Sequence, residues 1–268
     1  MKNLLERRTK GILASASKVY LPSSAMSTSV RVYASELYQQ ATKANSDLMI
    51  ISDQKEYFTS KFLDLTSVSG ITEEADITFL TSVAEIRLTS SGETPSSTEL
   101  FVRGLAATDP PRRVVLALLP SKYARHNTPS RSHSVASLVK NHKGSSKDLI
   151  VILAPSTGDY FFPQALAIGR QFPLYSLKSL SVGKEEKNPQ VSILLHNSGY
   201  SQKLLDNMGN VVDGIRLAQR LVDSPPNVLH TDAYVEECLA VASRTGCKIE
   251  VCNICGAYII VIQLKCIY

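Results

Sequence analysis

No apolar run in the 268-residue sequence reaches the roughly 18 residues that a membrane-spanning helix requires. A secretory signal is not recognisable either, because the apolar stretch Ile12-Leu13-Ala14 is too short. Cysteine is absent before Cys238, and the five cysteines are an odd number. We therefore expect no membrane partner and no disulfide framework, and we predict reduced thiols and a cytoplasmic location.

Surplus positive charge is missing from most of the chain. The net charge is +5, from 29 basic and 24 acidic residues. The first 31 residues contain six basic residues and one acidic residue, Glu6. This stretch accounts for the whole positive surplus, so the charges of the remainder are balanced. A nucleic-acid-binding face needs surplus charge clustered on a folded domain, so we expect no nucleic-acid partner. We interpret residues 1–30 as a poorly ordered leader, with a mitochondrial transit peptide as the alternative.

Apolar strands alternate with helices through the middle of the sequence. Val114–Leu119, Asp148–Leu153 and Gln190–Leu195 each hold an apolar run with the length of a strand buried on both faces. Helices are predicted between them at Ser132–His142 and Asp159–Gln171. This alternation predicts an α/β fold with a mixed, mainly parallel sheet sandwiched by helices.

The region before residue 104 has weaker patterns. Arg31–Ala44 has a partial apolar face at helical spacing and is predicted as a helix. Leu48–Ile51 and Ile77–Leu80 are short apolar runs and are predicted as strands.

A long helix is predicted at Ser201–Val222, followed by a break and a second helix. Its apolar residues recur at intervals of four and three, which predicts one continuous buried face. That face consists of Leu204, Met208, Val211, Ile215, Ala218 and Val222. Pro225-Pro226 cannot continue a helix, and Thr231 is predicted to cap the next one.

Few residues point to chemistry. The sequence has no His-Glu-x-x-His pair, no Gly-Lys-Ser/Thr phosphate loop and no Gly-x-Ser-x-Gly elbow. Loop Ala154–Gly158 joins a strand to a helix and could offer free N–H groups to an anion. His126 follows the end of a strand, and it either fixes a turn or faces a ligand. Cys252 and Cys255 have metal or redox spacing but lack a second tight pair.

The segment Arg216–Tyr234 resembles the inter-domain segment of the leucyl aminopeptidase family. In that family a helix carrying Arg is followed by Asn/Asp-x-Pro-x-Asn and a Thr-capped helix. The matching residues, which we assign a structural role, are Arg216, Arg220, Asp223, Pro225, Pro226, Asn227 and Thr231. The resemblance extends over residues 110–252. Tyr123–Pro129 and the series of strands and helices from there to Arg170–Pro173 are similar to the N-terminal domain of a probable-aminopeptidase subgroup.

The resemblance implies an N-terminal domain of macro-domain type and a hexameric metallopeptidase. Such an enzyme removes N-terminal amino acids from peptides with two divalent metal ions, Mn or Zn. The family's metal ligands and catalytic residues lie in its C-terminal domain, in strings such as Asn-Thr-Asp-Ala-Glu-Gly-Arg-Leu, and no such string occurs here. We therefore expect this chain to hold no catalytic residue and no metal, and to be inactive alone.

Two alternative hypotheses remain open. One is a non-catalytic interaction module that joins hexamers of a full-length aminopeptidase. The other is a macro-domain-like ligand-binding module that uses loops 120–131 and 154–159.

The predicted organisation has five parts. A leader at residues 1–30 precedes the N-terminal α/β domain at 31–200 and the linker helix with its Pro-Pro break at 201–227. Residues 228–253 are interpreted as the truncated start of a second α/β domain, the catalytic one. Residues 254–268 are interpreted as an aberrant apolar tail, because Ala257–Leu264 is uncharged and rich in β-branched residues.

Overall fold

Six strands form the sheet at the centre of residues 26–220. The structure is a computed structural model and describes residues 28–34, 46–89, 92–104, 109–123, 128–144, 148–175, 189–196, 199–254 and 257–263. The strands are β1 (Ser29–Ala34), β2 (Asp47–Ser52), β3 (Ser96–Val102), β4 (Arg112–Leu118), β5 (Leu149–Ala154) and β6 (Gln190–Leu195). Their spatial order is β1-β6-β5-β2-β4-β3. Among these six strands only β3 runs antiparallel to its neighbour, so the predicted mixed, mainly parallel sheet is confirmed.

The apolar runs become central strands because both of their faces are covered. Every residue of β2 and β5 is buried. Helices α1 (Thr66–Ser69), α2 (Glu74–Arg87), α3 (Ser132–His142), α4 (Phe161–Gly169) and α5 (Gln202–Asp223) surround the sheet, with short 3₁₀ turns at Lys55–Phe58, Phe62–Leu65 and Gly158–Tyr160. One face packs against α3, α4 and α5, and the other packs against the chain from Lys55 to α2. The predicted α/β sandwich is therefore confirmed.

Two of the weaker predictions are wrong. Residues 29–34 form β1 instead of the start of a helix, because Val30 and Val32 pack on one face of the sheet and Tyr33 on the other. Residues 35–44 lie outside the described residues. Ile77–Leu80 belongs to α2, where Ile77, Leu80 and Ala84 share the side that faces the core. In both cases the few apolar residues fit the repeat of a strand as well as the repeat of a helix, so the sequence pattern did not distinguish the two.

Helix α5 is present as predicted, but of its predicted buried face only Met208 is fully buried. Leu205, Met208 and Val212 are buried together with Arg216. A side chain at Gly169 would place its Cβ 2.6 Å from Val212 Cγ1, so glycine allows α4 and α5 to approach closely. Of the predicted face, Leu204 is 39% exposed, Val211 40% and Val222 84%. The helix carries two apolar stripes. The buried stripe contains Arg216, and a pattern of apolar residues does not identify a stripe with a charged residue as the buried one.

Residues from 221 onward belong to a second compact unit. Helix α6 (Thr231–Thr245) precedes an antiparallel hairpin of β7 (Lys248–Ile254) and β8 (Ala257–Gln263). The helix begins at Thr231, but the cap is His230, whose Nδ1 accepts from the N–H of Ala233 at 3.4 Å. The prediction that Thr231 caps α6 is therefore wrong by one residue. The predicted division of the chain into five parts stays a prediction.

None of the helices in the described ranges has both the length and the apolar composition needed to span a membrane.

The orientation of α5 can be tested with two adjacent leucines. Leu205→Ala should lower the free energy of unfolding by about 2–5 kcal/mol, because Leu205 is 2% exposed and its removal leaves a cavity. Leu204→Ala, at a 39% exposed position, should cost less than about 1 kcal/mol. Urea unfolding followed by circular dichroism measures both. Equal losses, or the reverse order, would restore the face predicted from the sequence.

Candidate functional site

The carboxyl ends of the parallel strands form the edge at which α/β sheets usually bind ligands. After β2 the chain turns to the face covered by Phe58 and Phe62, whereas after β4 and β5 it turns to α3 and α4 on the opposite face. Strand β2 therefore lies at a switch in the direction of the connections. Asp53, the first residue after β2, sits at this switch and defines the candidate site.

The Asp53 carboxylate is bound on several sides by the protein. Its Oδ1 accepts from the Ser156 N–H at 2.7 Å, and its Oδ2 accepts from the Ser156 hydroxyl at 2.5 Å. Arg131 Nη1 lies 3.4 Å from Oδ2, and the Asp53 side chain is only 6% exposed. A charge that is this well paired stabilises the edge by joining the loops after β2, β4 and β5.

Loop Ala154–Gly158 offers fewer free N–H groups to an anion than its sequence suggested. The N–H of Ser156 donates to Asp53, so it is not free for an external anion. The carbonyl of Gly158 accepts from the Tyr200 hydroxyl at 2.5 Å, which ties the end of the loop as well. A phosphate at this loop would meet the Asp53 carboxylate, and like charges repel. The prediction of free N–H groups is therefore wrong at Ser156.

Arg131 is held in a backbone conformation that side-chain-bearing residues seldom adopt. Its φ of 52° and ψ of 37° lie in the left-handed region just before α3. The guanidinium stacks over the Tyr123 ring at 5.4 Å, and its Nη1 donates to the Pro129 carbonyl at 2.9 Å. These contacts aim the cation at Asp53. His126 lies outside the described residues.

His196 is a further polar residue at this edge and was not among the residues predicted to be functional. It directly follows β6, is 5% exposed, and packs edge-to-face on Tyr57 with ring centroids 5.5 Å apart. Both ring nitrogens are buried and have no hydrogen-bond partner among the described residues. Burial lowers the pKa of the His196 imidazole, and the Asp64 carboxylate opposes that lowering. The signal for this residue in the sequence was a histidine directly after an apolar run predicted as a buried strand.

Arg216 of the resembling segment has a structural role in α5. It is 3% exposed, and its Nε donates to the Phe172 carbonyl at 2.8 Å. Its Nη2 donates to the carbonyl of Thr28, the residue before β1. Burial lowers the pKa of the guanidinium, and nearby Asp213 opposes that lowering. Arg216 thus joins α5 to the end of α4 and to the start of β1.

The other residues of that segment form a helix end and a turn. Arg220 is half-buried, and Asp223 is the exposed last residue of α5. The Pro225 carbonyl accepts from the N–H groups of Val228 and Leu229, both at 2.9 Å. Pro226 and Asn227 are exposed within this turn, and Thr231 opens α6. Their positions fit the predicted structural role, which stays a prediction.

Among the described residues, no three His, Cys, Asp or Glu side chains are placed to hold a metal ion. Cys255 lies outside those residues, so the predicted Cys252–Cys255 pair is untested. Cys238 and Cys247 are free thiols, and burial raises the pKa of Cys238.

Known proteins resemble this chain in sequence over about half of its length. Residues 69–181 match the family described as M17 aminopeptidase N-terminal domain 2. The probable aminopeptidase NPEPL1 of Mus musculus is 31% identical over 137 residues, which are 49% of this chain and 26% of that protein. Leucine aminopeptidase 1 of Caenorhabditis elegans is 29% identical over 138 residues, 51% of this chain and 27% of that protein.

Solved structures resemble it over a longer stretch. The leucyl aminopeptidase of Trypanosoma brucei superposes with a TM-score of 0.63 at 20% identity, covering 92% of this chain and 46% of that chain. The leucine aminopeptidase of C. elegans superposes with a TM-score of 0.59 at 22% identity, covering 84% and 42%. At these identities the superpositions support the fold alone.

Residues 69–181 therefore resemble the N-terminal domain of an M17 aminopeptidase in sequence, and the sheet shares the fold of the leucyl aminopeptidase structures. The predicted resemblance to the leucyl aminopeptidase family is confirmed. The chain spans about a quarter of the length of the curated relatives it matches.

Asp53 should be important for stability. Asp53→Ala removes the acceptor of Ser156 and the partner of Arg131, and we expect a loss of about 2–4 kcal/mol in the free energy of unfolding. Asp206→Ala is the control, because Asp206 is exposed on α5 and bonded to Gln202. Chemical denaturation compares the two variants. A loss at Asp53 no larger than at Asp206 would show that the bonded carboxylate is not a structural link.

Arg216→Met should lower the free energy of unfolding by about 3 kcal/mol, because it leaves two carbonyl groups without their charged donor. Arg170→Met is the matched control at an exposed position beside α4. The same denaturation experiment compares them. If Arg216→Met were neutral, the buried arginine would be dispensable and its role would lie outside the stability of this domain.

Proposed function

We propose that this chain serves a leucyl-aminopeptidase-like metallopeptidase as its non-catalytic N-terminal domain. The observation that carries the proposal is the match of residues 69–181 to the M17 aminopeptidase N-terminal domain, on a sheet with the matching fold. Such an enzyme would remove N-terminal amino acids from peptides with two divalent metal ions, Mn or Zn. Neither the metals nor the catalytic residues are assigned to any residue of this chain.

Three of the described carboxylates support a non-catalytic role, because arginine guanidinium groups pair with them. Asp47 and Glu99 both bind Arg113, at 3.3 and 2.7 Å. Asp53 binds Arg131. Two-metal hydrolysis needs several carboxylates converging on ions roughly 3.5–4 Å apart, with one side open to water. Carboxylates neutralised by guanidinium groups at separate places on the sheet do not make such a cage.

We extend the proposal to the partners of the domain. Peptides would be the substrates of the whole enzyme, and further subunits of a cytoplasmic hexamer would be its protein partners. The exposed apolar side chains of Leu204 and Val211 support a protein partner on α5.

We expect no peptidase activity from the 268-residue chain by itself. The assay is hydrolysis of a leucyl p-nitroanilide with added Mn²⁺ or Zn²⁺, run beside an active leucyl aminopeptidase in the same buffers. The rate should equal that of buffer with metal alone, because the residues that bind the metals are proposed to lie outside this chain. Metal-dependent turnover that a chelator abolishes would overturn this part of the proposal.

A further inference from the structure

We propose that His196 is a pH-operated latch for the segment Lys55–Leu65, named here the covering segment. The segment packs over the carboxyl end of β6 while the imidazole is neutral, and protonation of the imidazole favours its release. This device is independent of the peptidase proposal, because it involves only residues of this domain.

The first support is the position of His196 in the sheet. Its backbone N–H donates to the Leu153 carbonyl at 2.9 Å, which continues the pairing of β5 with β6 and fixes the residue. Within the described part of the chain, both ring nitrogens are inaccessible and unpaired. Nothing in the described surroundings therefore accepts a hydrogen bond from an added proton.

The second support is the set of groups that face the ring. Tyr57, from the 3₁₀ turn Lys55–Phe58, contacts it with the ring planes at 87°. Asp64, from the turn Phe62–Leu65, is the acidic group that favours protonation, but it is exposed and therefore screened by solvent. Lys61 lies 5.8 Å from the centroid of the Tyr57 ring and adds a positive charge nearby. A protonated His196 would place a second cation against the same tyrosine, with little negative charge nearby to stabilise it.

The third support is that the covering segment can respond locally. Its backbone hydrogen bonds are short-range, such as Lys61 N–H to Glu56 carbonyl at 2.8 Å and Phe62 N–H to Thr59 carbonyl at 3.2 Å. Because it is outside the sheet ladder, its opening does not require the strands to separate, but it does expose the buried side chains of Phe58, Phe62 and Leu65. Opening would hydrate the imidazole, and so the open state binds a proton more readily than the closed state.

The direction of the pH effect follows from the burial. The pKa of His196 lies below the ordinary histidine value in the closed state and returns toward about 6.5 when the ring meets water. The stability of the closed state is therefore complete above that range. It is lost as the pH falls below about 6.5.

Hydrogen exchange measured by mass spectrometry tests the latch on the full chain. Protection factors, corrected for intrinsic exchange, are compared at pH 7.5 and pH 5.5 for peptides covering residues 55–65 and 132–142. We expect protection of the covering segment to fall by up to about tenfold at the lower pH, the limit for a ring that titrates near the ordinary pKa of about 6.5 when open and stays neutral when closed. Helix α3 should keep its protection. An unchanged covering segment would overturn the proposal.

Two variants assign the effect to the ring. His196→Phe keeps an aromatic ring against Tyr57 and cannot titrate, so the fall in protection should disappear. His133→Gln removes an exposed histidine of α3 and should leave the fall unchanged. A fall that persists in His196→Phe would refute the latch. If that variant fails to fold, NMR titration of wild-type His196 decides: an ordinary pKa with an unopened covering segment refutes it as well.

Discussion

Strands β2 and β5 are buried along their whole length, so protein has to cover both faces of the sheet. This constraint arranges the rest of the domain. Helices α3, α4 and α5 cover one face, while the covering segment and α2 cover the other. It also brings polar backbone and side-chain groups at the strand ends out of water. Those groups need partners within the protein.

At both ends of the sheet, arginine side chains bind these polar groups. At the amino end, Arg112 donates to the carbonyls of Ser46 and Ser69, at 2.9 and 2.6 Å. Arg113 binds Glu99 through two nitrogens and also contacts Asp47. At the carboxyl end, Arg131 and Ser156 hold Asp53. At the edge that often binds ligands in α/β proteins, the Asp53 carboxylate is thus paired within the domain itself.

The sequence predicted the central strands and most helices because their signals are long and local. A continuous apolar run such as Val114–Leu119 fits a strand that is buried on both faces and does not fit an exposed element. It did not predict the edge strand β1 or the start of α2, because three or four apolar residues fit either period. Asp53 and His196 were missed for a different reason. Each is a single polar residue after an apolar run, and its meaning depends on Ser156 or Tyr57, which is distant in the chain.

The sequence by itself determined the class of fold and, through the segment Arg216–Tyr234, the resemblance to a leucyl aminopeptidase. Only the tertiary structure decided which stripe of α5 is buried. Two apolar stripes compete on that helix, and the choice depends on Gly169 admitting Val212 and on two distant carbonyls that accept from Arg216. The same holds for Asp53, since a carboxylate becomes a structural link only where packing brings donors to it and excludes water.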